Sequence, residues 1–183
     1  KARFVTESTD ESPVADNRRA ASPVGCLIVL LLLVVVGAFI AIRRPLPPLN
    51  RERFDQAYEQ WQTAGPANYD ITIRVSGRQA AEYHVEVRDG DVATATRNGQ
   101  PLKQSRTLST WSVPGMFNTM EIDLENVERH AAGRAAANTP RLSLMARFDP
   151  RLGYPEFYQR TEYRDRGSNY DVTFEVIEFA VVK

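Results

Sequence analysis

Apolar residues run unbroken in one part of this chain and alternate with polar ones through most of the rest. From Ala20 to Ile42 nothing is charged, and the stretch Leu27-Ile28-Val29-Leu30-Leu31-Leu32-Leu33-Val34-Val35-Val36 is apolar on every side. A helix without a polar face belongs in a large core or in lipid. Crossing a bilayer takes roughly 20 residues, and the remaining chain is too small and polar to hide such a rod. The pattern predicts a single transmembrane helix over 23–42, anchored by Leu27, Leu30, Leu33, Val36 and Phe39 and closed by Arg43 and Arg44. A cleaved signal peptide fits less well: the apolar run exceeds the usual length of about 7–15 residues, and no A-x-A-like site follows. Cys26 precedes the run, the wrong place for lipoprotein processing.

Residues 1–22 are a polar tail, expected to be disordered on its own. The chain begins at Lys1, so an upstream start is expected. After the apolar helix, Pro45-Leu46-Pro47-Pro48 predicts a stiff spacer within a linker over 43–50. Asn50 can cap a helix over 51–64, where Phe54, Ala57, Tyr58 and Trp61 share one face and Gly65-Pro66 ends it.

The period then changes to two. Tyr69, Ile71, Ile73 and Val75 alternate with polar residues, as do Tyr83, Val85 and Val87. Such alternation predicts antiparallel strands with one dry and one wet face. Asp89-Gly90 turns the chain into a third strand over 91–97, which Asn98-Gly99 ends. Val113, Phe117, Met120, Leu124 and Val127 define a second helix, with Pro114 near its start and Gly133 past its end. Strands over 141–148, 156–164 and 169–181 follow. In the last of these, Ile177 and Phe179 switch face relative to Tyr170, Val172, Phe174 and Val176, which predicts a bulge near Val176. The predicted class is α+β: a transmembrane helix, then an α-βββ-α-βββ domain over 51–183 whose antiparallel sheet is covered on one face by two helices.

Composition narrows the function. The 183 residues carry a net charge of +0, which argues against nucleic acid as the main partner. The one cysteine lies in the apolar stretch, so the domain can form neither an internal disulfide nor a thiolate metal site. His84 and His130 lack the spacing of a metal pair. His84 reads as a surface residue, and His130 as a cation suited to a helix C-terminus. Asp89-Gly90-Asp91 lacks the further ligands of a calcium loop and reads as a hairpin. No serine lies in a G-x-S-x-G elbow and no Gly-rich phosphate loop is present. Glu121, Asp123, Glu125 and Glu128 read as a solvated face of the second helix, with a docking patch as the less favoured reading. No cofactor or metal is expected.

Two motifs stand out. One is Trp61-x3-Gly65-Pro66-x2-Tyr69, and the other is Asp149-Pro150-x2-Gly153-Tyr154-Pro155, with Tyr170-x-Val172 downstream. Gly153 is expected to take a positive φ and Pro155 to mark an edge or a strand start. Trp61 and Tyr154 are expected at the edge of the core. Together the motifs resemble a bacterial family of secreted and lipoprotein domains of unknown function, over roughly residues 51–181. Many members of that family carry a Cys-x-Cys pair near the end of the first strand. This chain has Ser76-Gly77-Arg78 there, so a thiol role is absent.

The resemblance implies an extracytoplasmic domain and supplies no activity. It weighs against the arginine count, since Arg43, Arg44, Arg51 and Arg53 outnumber Arg18 and Arg19 and point the other way. The expected protein is a single-pass bacterial inner-membrane protein whose C-terminal domain is extracytoplasmic, non-enzymatic and an interaction or scaffold module. Membrane lipid and protein partners are its expected contacts. The alternative is an accessory subunit stabilising a larger membrane complex. The least favoured reading is a hydrolase or small-ligand binder with a groove lined by Trp61, Tyr69 and Tyr154.

Overall fold

The computed structural model describes residues 46–102, 108–164 and 166–182, all within the compact unit Leu46–Lys183. The expected tail and transmembrane helix lie outside the described residues. Among those described, no helix is long and apolar enough to cross a membrane.

Helix α1 spans Arg51–Ala64, and Asn50 caps it by accepting a hydrogen bond from the Arg53 amide at 3.0 Å. Strands β1 (Tyr69–Ser76), β2 (Ala81–Arg88) and β3 (Asp91–Arg97) follow as a meander. Asp89 and Gly90 join β2 to β3 with φ of 53° and 86°, the signature of a type I′ turn. Asn98 and Gly99 repeat that conformation at 50° and 76°. They do not merely end β3: they fold back a two-residue strand β4 (Gln100–Pro101), so the sheet has seven strands where six were expected. A strand this short carries no alternation for sequence reading to detect.

Helix α2 spans Val113–Ala131 and is capped by Ser112, which accepts from the Gly115 amide at 3.3 Å. Strands β5 (Arg141–Phe148), β6 (Pro155–Tyr163) and β7 (Tyr170–Val181) complete the chain. The sheet order is β4-β3-β2-β1-β7-β6-β5, antiparallel throughout. The first and last long strands therefore meet in the middle and join the two meanders. Thr72 pairs with Glu178 and Ile73 with Val176, which leaves Ile177 as the extra residue of the expected bulge. After it, Phe179 and Val181 fall opposite Ile71 and Tyr69, back in line with the dry face.

That dry face carries Ile71, Ile73, Val85 and Val87, which are buried beneath Phe54 and Ala57 of α1 and Met116, Phe117, Met120 and Leu124 of α2. Burying one such aliphatic side chain contributes about 1.5–3 kcal/mol. The helices meet each other through Phe54 and Phe117, edge to face at 5.6 Å. They are also joined by Arg51, which donates to Glu121 at 2.6 Å and to both oxygens of Glu128 at 2.9 and 3.0 Å.

The proline-rich linker is more than a spacer. Pro48 bridges Met145, the Leu49 amide donates to Leu144 O at 2.9 Å, and the Ala146 amide donates to Pro47 O at 3.1 Å. Arg53 clips this segment down through Pro48 O at 2.7 Å. Leu49 is part of the core. The segment thus covers the outer edge of β5 with prolines, which present no amide for further strand pairing.

A fragment beginning at Leu46 should melt cooperatively. One beginning at Asn50 loses Leu49 burial and two edge hydrogen bonds, and should be less stable by about 3 kcal/mol. Urea melts of the two decide the point, and equal midpoints would contradict a structural role for the linker.

Candidate functional site

The two motifs that stood apart in sequence form one contact. Gly65 lies beneath the Trp61 indole: a Cβ there would sit 2.7 Å from the ring and 2.5 Å from Trp61 O. Gly153 has φ +80°, and a Cβ there would come within 2.4 Å of Ala57 O and 2.9 Å of the Trp61 amide. The β5–β6 loop therefore rests directly on the backbone of α1. Asp149 shapes that loop by accepting from the Arg151 and Leu152 amides at 2.9 and 2.6 Å. Gln60 pins it through Pro150 O at 2.7 Å. Pro155 is buried and opens β6, as expected.

Trp61, Tyr69 and Tyr154 do converge, but as packed aromatics. Trp61 is 6 % exposed and Tyr69 2 %. The Trp61 ring meets Tyr69 edge to face at 5.5 Å, while Tyr69 and Tyr154 stack on Phe179 at 5.2 and 4.3 Å. Only Tyr154, half-buried, keeps ring surface for solvent. The Tyr69 hydroxyl is also spent: it accepts the Val113 amide at the start of α2, at 3.1 Å. Burial pushes that hydroxyl up to about 12, and the bond from Val113 offsets part of the effect. These residues form a brace rather than an open groove.

His84 faces Thr72 across the β1–β2 pair, Nδ1 to Oγ1 at 3.1 Å, with Glu86 Oε1 3.9 Å from Nε2. The trio has the residue types of a hydroxyl–imidazole–carboxylate relay. The carboxylate is too far for a hydrogen bond, and Thr72 is 7 % exposed, so the three side chains do not form a connected relay. His130 gives its Nε2 proton to Thr139 O at 3.0 Å, which fixes the loop after α2.

The acidic helix does not behave as one solvated face. Glu121 and Glu128 hold Arg51, and Glu125 pairs with Arg129 at 3.3 Å. Asp123 instead points inward. It accepts from the Tyr158 hydroxyl at 2.7 Å and lies 3.2 Å from Arg160 Nε. That arginine N–H is not aimed along a hydrogen bond, so the contact is ionic. Burial raises the Asp123 carboxyl above its ordinary value, against the Tyr158 hydrogen bond and the Arg160 charge, which lower it. Burial likewise raises the Tyr158 phenol. Sequence reading missed this cluster, although a signal existed: Asp123 falls beside Met120 and Leu124 on the apolar stripe, and Arg160 alternates in phase with buried Tyr158.

Two substitutions test these assignments. Tyr69→Phe leaves the buried Val113 amide without its acceptor and should cost about 1–3 kcal/mol while leaving the aromatic packing intact. An unchanged urea midpoint would contradict the capping role. Tyr158→Phe removes a bond that favours ionised Asp123. The loss should be full well above the raised folded pKa of Asp123 and should shrink as pH falls through it. A pH-independent loss would show that Asp123 does not titrate there.

No curated protein and no solved structure matches this chain significantly. A family defined only as being of unknown function, DUF6174, matches residues 53–160, from α1 through most of β6. That span contains both motifs, the Trp61–Gly153 contact and the Asp123–Tyr158–Arg160 cluster, and covers more than half of the chain. The chain belongs to that family of unknown function, DUF6174.

Proposed function

We propose that the protein is a single-pass, membrane-tethered interaction domain displayed on the extracytoplasmic side of a bacterial inner membrane. The observation that carries this reading is the uncharged stretch Ala20–Ile42, bracketed by Arg19 and by Arg43 with Arg44, a few residues ahead of a self-contained domain. Its length and composition suit a bilayer rather than the core of a domain already filled by its own aromatics.

Orientation is supported by what the arginines do. Arg51 is bound to Glu121 and Glu128, and Arg53 to the Pro48 and Ala146 carbonyls. Both are structural parts of α1, so neither reports which side of the membrane the flank occupies. Removing them leaves Arg43 and Arg44 against Arg18 and Arg19, an even balance that no longer favours a cytoplasmic domain. The resemblance to exported bacterial domains then supports the extracytoplasmic side.

A binding role is supported by where the chemistry-bearing side chains went. Trp61, Tyr69, Asp123, Tyr158 and His84 are engaged with their neighbours, and each has a structural task. A rigid scaffold with its polar interior committed suits recognition through its outer surface better than turnover.

Reporter fusions after Lys183 test the topology. Alkaline phosphatase, active only outside the cytoplasm, should be active, and a fluorescent protein that matures only inside should stay dark. The reverse pattern would place the domain in the cytoplasm and overturn the orientation.

A further inference from the structure

An open cleft of about 1010 Å³ lies between the loop after α2 and the β6–β7 turn. Its volume is at the upper end for small-ligand sites. Its lining includes His130, Arg141, Glu162, Arg164 and Arg166.

The charge arithmetic favours anions. Glu162, the one acid in that lining, lies between two guanidinium groups: Arg160 at 3.6 Å and Arg164 at 3.6 Å. Arg160 also faces Asp123, so the ionic chain runs from the interior to the cleft wall. Among the described residues, neither Arg141 nor Arg166 is held in an ion pair. Asp165 is outside the described residues; counted with Glu162 against Arg141, Arg164 and Arg166, it still leaves one positive charge before His130 is considered. In a chain of net charge +0, this is a local concentration of cations.

The helix end does not oppose it. The last carbonyls of α2 are taken by the amides of Ala132, Gly133 and Arg134 at 3.0, 3.0 and 2.8 Å, which blunts the negative end of the helix dipole. Guanidinium groups are planar forks that match the two oxygens of a carboxylate or phosphate.

The geometry points to this cleft as a binding site for a small solute bearing two or more oxyanion groups, with Arg141 and Arg166 as its principal contacts and Arg164 held ready by Glu162. Carboxylate and phosphate share this chemistry.

Isothermal titration of the full chain in non-ionic detergent with citrate and, separately, with pyrophosphate tests the site and distinguishes the two sources. At least one probe should bind with about millimolar affinity or better. Arg141→Gln and Arg166→Gln should each weaken that binding about tenfold or more, the usual scale for losing a charged hydrogen-bonding partner. Arg147→Gln, at the other end of β5, should leave it within about twofold. All three positions are exposed, so melting curves should stay in place and exclude misfolding. No binding of either probe, binding indifferent to Arg141 and Arg166, or an equal loss in Arg147→Gln would each overturn the site.

Discussion

Tyr69 is where the parts of this domain are tied together. Its ring takes the edge of Trp61 from α1 and the face of Phe179 from β7, and its hydroxyl accepts the first amide of α2. It is also the first residue of β1, the strand at the centre of the sheet. One side chain thus contacts both helices and both central strands. Tyr69 is 2 % exposed and Val113 is likewise buried, so the bond and the packing depend on each other.

The same dependence explains the two motifs. Each glycine marks a place where something must come closer than a Cβ would allow: the indole over Gly65, and the α1 backbone under Gly153. Each aromatic fills the space that results. The pairing of β1 with β7 brings together residues separated by nearly the whole domain, and such long-range closure is what the loop-to-helix contact at Gly153 braces. The motif residues therefore describe how a seven-stranded sheet is locked under two helices.

Much of this could be read from the sequence. Helix faces and strand alternation placed α1, α2 and six strands within a residue or two, because one-sided burial imposes a strict period. The Ile177 bulge was visible as a phase switch. What was hidden depended on distant partners. β4 is too short to have a period. The prolines at 47–48 looked like a spacer because edge pairing needs to know where β5 lies. Asp123 looked like one more acid on an acidic helix until Tyr158 and Arg160 supplied a buried partner. Trp61, Tyr69 and Tyr154 pack close together around Phe179, and sequence cannot tell a lined groove from a closed stack, since both use the same rings.

The functional account rests on the stretch Ala20–Ile42 holding this domain to a bilayer. Alkaline carbonate washing of membranes from expressing cells measures that directly. The full chain should stay with the sedimented membranes, and the fragment Leu46–Lys183 should appear entirely in the supernatant. Release of the full chain by the wash would contradict a spanning helix and with it the proposed role.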